Sequence, residues 1–519
     1  MNFKNKILFL LMLSVCCVLN AQQTDTISIT QNTFYNSYKH QIWTNPLFYT
    51  QQSIKNYTFT QVNFEQRNLE VKRVQTAEKI NSYNFATEGI FNLDASTRLF
   101  GDVQFSKQYE YGLGYNFSSE RTENQNVLSP NYYYAPKKGE WEHQSYWLEG
   151  GLSKNYKSFL FSGKLFGEYK NSFRVIDPRP QIKYAFYGGE GSLGYNHKNH
   201  ALFLSGKLSL KKENGTVVYM DDYQNAPVYW ETFTRFSNGY GRILSDDSYL
   251  RFINKTLDKG FGFGYQFSKE NWNINATYNY NKTMKDFYGK DAHNKVYLED
   301  ALIRYKYRTI NHHFALNNFI HTPTKDYKLE LKYIRQQGDN YSVKEQGQNY
   351  RMNIDRVRFN SGIIKKANHI TKYAIEFGFD IGKHKYIDLL GYTSKKLSDL
   401  HLNLNFNTDF YISQNSKLNT NFGVNYYTVI NEELIINKLT SENIFIDHVV
   451  LPDHAYDITD KLGTLLHLNY CIALPKNKEF RIFAKWSSLV ALSNEYKNFY
   501  PDLNASNNNA FKLGIAIIY

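Results

Sequence analysis

The amino-acid sequence predicts an all-β fold, namely a single transmembrane antiparallel β-barrel of about eighteen strands, within a range of about 14–20. Apolar and polar residues alternate in runs of about 9–13 residues, close to the length of a tilted membrane strand. Short connections alternate with long ones, and aromatic residues, 17% of the 519-residue chain, recur near the ends of the runs. A mean hydropathy of −0.56 excludes a helical membrane protein, and a hydrophobic content of 42% excludes disorder.

The first 21 residues are predicted to form a cleaved signal peptide. Lys4 and Lys6 precede an apolar run over residues 7–19, and Ala21 supplies the small residue of a cleavage site. The run is too short for a transmembrane anchor. A lipoprotein signal fits less well, because neither cysteine of the run follows a small residue.

The rest of the chain is expected to form two segments. Residues 22–56 would be an N-terminal periplasmic or lumen-lining segment, and residues 57–519 the outer-membrane barrel. Without the signal peptide, Cys471 is the one cysteine left, so we expect no internal disulfide. Because Cys471 lies within an alternating run, it is interpreted as a small strand residue rather than a nucleophile.

Each predicted strand is a run of period 2, in which successive side chains point to opposite faces. The eighteen predicted strands are residues 57–70, 80–92, 98–110, 141–152, 159–170, 183–195, 201–211, 260–268, 271–282, 311–321, 326–336, 354–365, 371–383, 399–413, 417–428, 460–474, 479–490 and 510–519. In one of them Leu329 and Leu331 alternate with Lys328, Glu330 and Lys332. We expect the leucines to face lipid and the charged residues to face the lumen.

A soluble β-sandwich is the main alternative fold, since its strands also alternate. Run length, aromatic positions and strict alternation of connection lengths favour the barrel, whose short turns lie in the periplasm and whose long loops lie outside. The short connections include Lys154–Lys157, Asn196–His200, Thr322–Asp326 and Pro475–Glu479. The long connections include Lys212–Lys259, Met284–Thr309 and Thr428–Asp460.

The C-terminal strand alternates to an aromatic end. Its apolar positions are Phe511, Leu513, Ile515, Ile517 and Tyr519. This pattern resembles the terminal signal by which the outer-membrane assembly machinery recognises its clients. The resemblance and the signal peptide together predict the outer membrane of a Gram-negative bacterium, with lipid and lipopolysaccharide as the surroundings of the barrel.

The whole pattern resembles a family of outer-membrane β-barrels of the Bacteroidota that is defined as a domain of unknown function and is porin-like in architecture. The resemblance implies a channel or uptake component for an unidentified solute. The alternative is a non-transporting accessory or scaffold barrel of a secretion or TonB-linked uptake complex, with a TonB-dependent transporter or a surface lipoprotein as partner. An open lumen with rings of charge would favour the channel, and a packed lumen would favour the scaffold.

No motif in the sequence predicts an enzyme, a cofactor site or a metal site. The segment Gly189–Gly194 matches G-x-G-x-x-G, but it lies inside a predicted strand, where it cannot open a helix onto a phosphate. His312 and His313 are adjacent and point to opposite faces of their strand, so they cannot share a metal. Basic residues are spread singly along the chain, which also argues against a nucleic-acid partner.

The predicted loop Lys212–Lys259 is the one stretch with candidate functional residues. Long loops with mixed aromatic and charged residues suit either a pore constriction or a surface for a partner. A solvated surface loop against lipopolysaccharide is an equally good interpretation. The candidate residues are Asp221, Asp222, Trp230, Arg235, Arg242, Asp246, Asp247 and Arg251.

Overall fold

The computed structural model is an antiparallel β-barrel that carries a small second sheet. It describes residues 45, 47, 56–120, 129–220, 229–240, 243–245, 250–290, 303–367, 370–436, 445–475, 478–493 and 507–519. The strands are β1 (Tyr57–Asn68), β2 (Lys79–Asn92), β3 (Thr97–Leu113), β4 (Asn131–Tyr134), β5 (Gly139–Tyr156), β6 (Phe159–Arg174), β7 (Arg179–His197), β8 (His200–Val218), β9 (Arg235–Asn238), β10 (Ile243–Ser245), β11 (Leu250–Lys269), β12 (Trp272–Lys290), β13 (Ile303–His321), β14 (Lys325–Ser342), β15 (Tyr350–Ala367), β16 (Ile370–Asp388), β17 (Thr393–Ser413), β18 (Ser416–Ile436), β19 (Lys461–Leu474), β20 (Lys478–Ala491) and β21 (Asn507–Ile518).

Eighteen of these strands form one closed sheet, and β4, β9 and β10 form the small second sheet. The barrel closes where β1 pairs with β21, for example at Phe59 with Ile518 and at Glu65 with Lys512. Closure pairs the backbone groups that would be left open at the edges of a sheet, and unpaired backbone groups are costly in lipid.

The prediction of a barrel with eighteen strands is confirmed, and each predicted strand lies at a barrel strand. Most of the observed strands are longer than predicted, up to 21 residues in β17 and β18, whereas β1 and β19 are slightly shorter. The bounds of the predicted loop Lys212–Lys259 are therefore wrong, because β8 continues to Val218 and β11 begins at Leu250. At the outer ends of β8 and β11 the outward face carries polar residues such as Lys212, Asn214 and Lys255, so the alternation of the sequence disappears there.

Membrane and lumen faces differ in polarity as the sequence predicts. Leu148, Leu165 and Leu204 project outward and are 62%, 74% and 60% exposed. On the lumen face, Asn275 and Asn317 are buried. An apolar belt around a polar interior is the pattern that a transmembrane barrel needs.

Strand β14, in which leucines alternate with charged residues, has the expected orientation. Leu329 is exposed on the outward face. Glu330 accepts a hydrogen bond from Asn360 Nδ2 at 3.0 Å and lies 2.9 Å from Lys332 Nζ. The charged residues of this strand therefore contact one another and their neighbours on the lumen side.

Connections at the periplasmic end are short turns, several of them with a residue in the left-handed region, such as Lys157 and Lys198 at φ 54° and 55°. The expected strict alternation with long loops is wrong at two outer connections. Residues 175–178 and 389–392 join their strands by turns that are also short. A short turn is enough to join adjacent antiparallel strands.

No helix among the described residues is long and apolar enough to span a membrane.

Candidate functional site

The small sheet lies inside the barrel, near its outer end. β9 pairs with β4 on one side and with β10 on the other, so the sheet unites two connections that are distant in sequence. Its aromatic residues pack on the lumen face of the wall: Tyr133 lies 5.4 Å from Phe252, and Phe236 lies 4.9 Å from Phe287, between ring centroids. The apolar contact folds these two loops inward.

A different part of the wall holds the small sheet by polar contacts. Asn238 Oδ1 accepts a hydrogen bond from Asn340 Nδ2 at 3.2 Å, and the Asn238 carbonyl accepts one from Asn349 Nδ2 at 2.6 Å. The backbone N–H of Tyr240 donates to Asp388 Oδ2 at 2.7 Å. The small sheet is thus packed against strands β11 and β12 and hydrogen-bonded near β14 and β16.

A short helix from the connection between β18 and β19 completes the inner structure. A π-helical turn (Ile446–Val450) leads into α1 (Leu451–Ile458), which has a proline in its first turn, where a missing N–H costs nothing. Phe445 packs on Tyr134 of the small sheet at 5.3 Å between ring centroids. Asp453 Oδ1 accepts the backbone N–H of Val74 at 2.8 Å. We call these described parts of four outer connections, residues 69–78, 129–138, 229–240 and 445–458, the plug.

One carboxylate joins the plug to the wall. Asp457 of α1 accepts a hydrogen bond from Arg73 Nε at 3.0 Å and pairs with Lys395 of β17. All three side chains are largely buried, with 4%, 14% and 1% exposure respectively. Burial by itself would raise the pKa of Asp457, but Arg73 and Lys395 hold this pKa well below its usual range. Asp457 is therefore charged at neutral pH.

Asp453, the other acidic residue of α1, has a raised rather than a lowered pKa. Burial raises the pKa of Asp453 to about 6, although Arg73 and the hydrogen bond from Val74 act in the opposite direction. Asp453 therefore gains a proton more readily in the folded plug than in water.

Between α1 and the wall lies a cavity of about 320 Å³, which we call the chamber. Its lining is charged and aromatic rather than aliphatic. The basic residues are Arg73, Arg356, Lys395 and Lys461, the acidic residues are Asp399 and Asp457, the histidines are His384 and His401, and the tyrosines are Tyr386, Tyr427 and Tyr456.

The wall of the chamber is ordered by its own contacts. Asp399 Oδ2 lies 2.8 Å from His384 Nε2, and Asp399 Oδ1 lies 3.3 Å from Arg356. Lys461 Nζ lies between two rings, 4.1 Å from the centroid of Tyr427 and 4.2 Å from that of Tyr456. Such contacts fix the charged groups at the chamber surface.

The periplasmic end of the lumen holds an apolar cluster. Leu47 is 1% exposed and packs with Tyr57, Phe100, Phe203 and Phe319 on the lumen face. Leu47 belongs to the segment 22–56 that was predicted to be periplasmic or lumen-lining, and this residue lies inside the barrel mouth. The other residues of that segment, apart from 45 and 56, are outside the described residues.

The predicted loop residues are only partly described. Trp230 is 44% exposed in a single 3₁₀ turn, with its ring 5.9 Å from the guanidinium carbon of Arg235 at the start of β9. Arg251 was predicted to lie in the loop, but it is an exposed residue of β11. The remaining five are outside the described residues; they are Asp221, Asp222, Arg242, Asp246 and Asp247.

Other predicted residues lie where the sequence suggests. Phe511, Leu513, Ile515 and Ile517 of β21, with the terminal Tyr519, all project outward and are exposed. Gly189–Gly194 lies within β7. Among the described residues, no group of three His, Cys, Asp or Glu side chains is arranged to hold a metal ion.

The chamber was not predicted, because its residues come from distant parts of the chain. Arg73 and Asp457 are 384 positions apart. The nearest signal was local: Pro452 followed by acidic residues at spacing four, Asp453 and Asp457, is typical of a short helix within a supposed loop.

A family model that covers the whole barrel decides which family the chain belongs to. Residues 46–519 match the family of unknown function DUF6850. The chain belongs to this family. The DUF6850 barrel, with its apolar outer belt, is an outer-membrane protein of a Gram-negative bacterium. No curated protein sequence matches it significantly.

Solved structures resemble the DUF6850 barrel only in general form. OccAB3 of Acinetobacter baumannii has 10% identity and a TM-score of 0.39, with 90% of this chain and 98% of that chain covered. The siderophore receptor PiuA of the same organism has 10% identity and a TM-score of 0.37, with 90% and 82% covered. The ferric citrate transporter FecA has 8% identity and a TM-score of 0.42, with 90% and 79% covered.

Proposed function

We propose that this protein is a gated outer-membrane barrel for the uptake of a small solute. The plug would close the outer part of the lumen, and the chamber would bind the solute on its way inward. The observation that supports this proposal is the chamber itself, which lies between plug and wall and has a volume in the range of small-molecule sites.

The two kinds of contact around the plug suit a gate. On the side of β11 and β12 the plug is packed by aromatic rings, such as Phe236 on Phe287, and this side would stay in place. On the side of β17 and β18 it is held by the ion pair of Asp457 with Lys395 and by a contact of His454 Nε2 with Glu432 at 3.1 Å, next to the partly buried Leu434 and Ile436. Water or a solute can replace polar partners, so opening on this side costs less than unpacking the aromatic side.

A second candidate function is a non-transporting scaffold of a secretion or TonB-linked uptake complex. The observation that favours it is the filled outer lumen, since a packed interior suits a barrel that works through its partners.

Conductance in planar bilayers distinguishes the two functions. We expect the wild-type barrel to be closed for most of the time, with brief openings. Replacing residues 221–247 by a short Gly-Ser linker removes β9 and β10 from the plug and should give steady conductance. The eighteen barrel strands are paired without these residues, so the variant should still show the heat-modifiable migration of a folded barrel.

Absence of conductance in both proteins would favour the scaffold function. If the wild type and the linker variant both fail to conduct, and the linker variant also loses a partner that co-purifies with the wild type, the uptake proposal fails and the scaffold replaces it.

A further inference from the structure

A groove runs over the lipid-facing side of β14, β15 and β16, at the periplasmic ends of these strands. It has a volume of about 630 Å³. Ser361 of β15 lies directly between Leu329 of β14 and Phe377 of β16, and its side chain is much smaller than its neighbours, which are exposed on the outward face. Ile363 and Ile375 continue the apolar walls towards the periplasm. The small side chain of Ser361 thus leaves a hollow in an otherwise apolar surface.

Two lysines close the periplasmic end of this groove. Lys325 of β14 is directly opposite Lys365 of β15, and both side chains line the groove. Like charges directly opposite each other destabilise a pair of strands. Lys365 Nζ lies 5.9 Å from the centroid of the Tyr373 ring, a contact that brings no negative charge. The described residues that line the groove include no acidic residue.

The acidic residue next to this lysine pair is engaged on the other side of the wall. Asp326 is buried, and it pairs with Lys366 and with His321, the latter at 3.0 Å. Successive residues of a strand point to opposite faces, so Asp326 and Lys366 face the lumen while Lys325 and Lys365 face outward. A negative charge for the outward pair therefore has to come from the membrane.

The position of the pair matches the headgroups of the periplasmic leaflet. The outward positions of β14 are apolar from Tyr327 to Tyr333 and basic at either end, at Lys325 and Arg335. Ten residues of a strand tilted by about 40° rise roughly 25 Å, which is the height of the apolar belt of such barrels. From Lys325 to Leu329 the groove runs roughly 13 Å along the strand, about the depth of one leaflet.

We propose that this groove binds one glycerophospholipid of the periplasmic leaflet, with its phosphate between Lys325 and Lys365 and an acyl chain over Ser361. The phosphate supplies the negative charge that the lysine pair needs, and the acyl chain covers the apolar walls. The groove lies on the outer surface of the barrel and the plug lies inside, so this inference does not depend on solute uptake.

The test is native mass spectrometry of the full-length purified barrel in detergent, titrated with phosphatidylglycerol. Diacylglycerol with the same acyl chains lacks the phosphate, and glycerol 3-phosphate lacks the acyl chains. We expect phosphatidylglycerol to bind at least tenfold more tightly than either. Replacing both Lys325 and Lys365 by Gln should weaken phosphatidylglycerol at least tenfold and leave diacylglycerol unchanged. Ser361→Leu, which fills the groove, should weaken both lipids at least threefold.

The matched control is Lys478→Gln, compared with Lys365→Gln alone. Lys478 is also exposed at the periplasmic end, and its Nζ also lies 5.9 Å from the centroid of a tyrosine ring, that of Tyr519. It is opposite Leu474 rather than a second lysine, and it does not line the groove. Lys365→Gln should weaken phosphatidylglycerol at least threefold, whereas Lys478→Gln should not. Heat-modifiable migration shows that each variant is folded.

Four results would overturn parts of this inference. Equal affinity for phosphatidylglycerol and diacylglycerol, or an affinity for phosphatidylglycerol that survives the loss of both lysines, would overturn the phosphate site. An equal loss in Lys478→Gln would show a general attraction to basic residues instead of a site. Unchanged binding in Ser361→Leu would overturn the position of the acyl chain. Tighter binding of lipid A than of phosphatidylglycerol, lost in the same variants, would assign the groove to lipopolysaccharide instead.

Discussion

Replacing Asp457 by Asn should release α1 from the barrel wall. The substitution keeps the shape of the side chain but removes the charge that Arg73 and Lys395 share, and the Lys395 side chain is 1% exposed. Removing one partner of a buried ion pair costs about 3–5 kcal/mol, because the remaining charge is left without compensation. The equilibrium between closed and released α1 should therefore shift by roughly 10²- to 10⁴-fold.

Hydrogen exchange followed by mass spectrometry measures this shift directly. Peptides that cover residues 451–458 should lose protection in Asp457→Asn, while peptides from the barrel strands keep theirs. The control is Glu433→Gln, which breaks the ion pair of the next residue of β17, Lys396. Glu433 pairs with Lys396 at 2.7 Å, but the two side chains are 41% and 50% exposed, so the cost should be at most about 1 kcal/mol.

Unchanged protection of α1 in Asp457→Asn would refute the reasoning, because it would mean that the ion pairs do not hold the plug. Equal loss in both variants would refute it as well, since an exposed pair would then matter as much as a buried one.

Three further predictions concern the plug, the membrane face and assembly. The pKa of Asp453 is raised to about 6 in the folded plug, so the plug should be held closed less strongly as pH rises from about 4 to 6. Hydrogen exchange of α1, compared with that of Asp453→Asn at each pH, should show a loss of up to about 3 kcal/mol. Leu329→Arg should destabilise the barrel by about 2–4 kcal/mol near the membrane midplane, whereas Glu330→Gln should cost far less, as measured by unfolding in urea. Deleting Tyr519 should lower the amount of barrel in outer membranes without reducing export, as measured by fractionation.

Each of these three predictions has an outcome that would contradict it. The difference in α1 exchange between wild type and Asp453→Asn reports on Asp453 alone, because His454 is present in both proteins. Burial lowers the pKa of His454, so its contribution has the opposite sign. A difference in exchange that is constant with pH would contradict the raised pKa of Asp453. Similar costs at Leu329 and Glu330 would contradict the assigned faces. Normal membrane levels without Tyr519 would show that the terminal pattern is not used in assembly.

The barrel could be predicted from the sequence because lipid and lumen impose a period of two on every strand. Leu329 and Glu330 illustrate this, since each adjacent pair must divide between an apolar and a polar environment. The prediction weakened where that contrast ends. The strand at β8 was expected to end at residue 211 and the strand at β11 to begin at residue 260, but β8 continues to Val218 and β11 begins at Leu250.

The plug and the chamber could not be predicted in the same way. β4 and β9 have four residues each and pair with each other from two different loops, so that Asn131 pairs with Asn238, 107 positions away. Such strands are too short to show a period, and their stability comes from tertiary contacts such as Tyr133 on Phe236 at 4.8 Å. Arg73 and Asp457 lie in different loops, and nothing in the sequence around either residue indicates that they form an ion pair.

The most direct test of the gate is to fix α1 to the wall and record conductance. His454→Cys and Glu432→Cys place two thiols where the native side chains lie 3.1 Å apart, in a chain whose buried Cys471 is replaced by Ser. A short, reducible bis-methanethiosulfonate can then bridge α1 to β18. If the barrel is gated by α1, we expect no conductance in planar bilayers while the bridge is present and brief openings once the bridge is reduced. Identical records before and after reduction would contradict it.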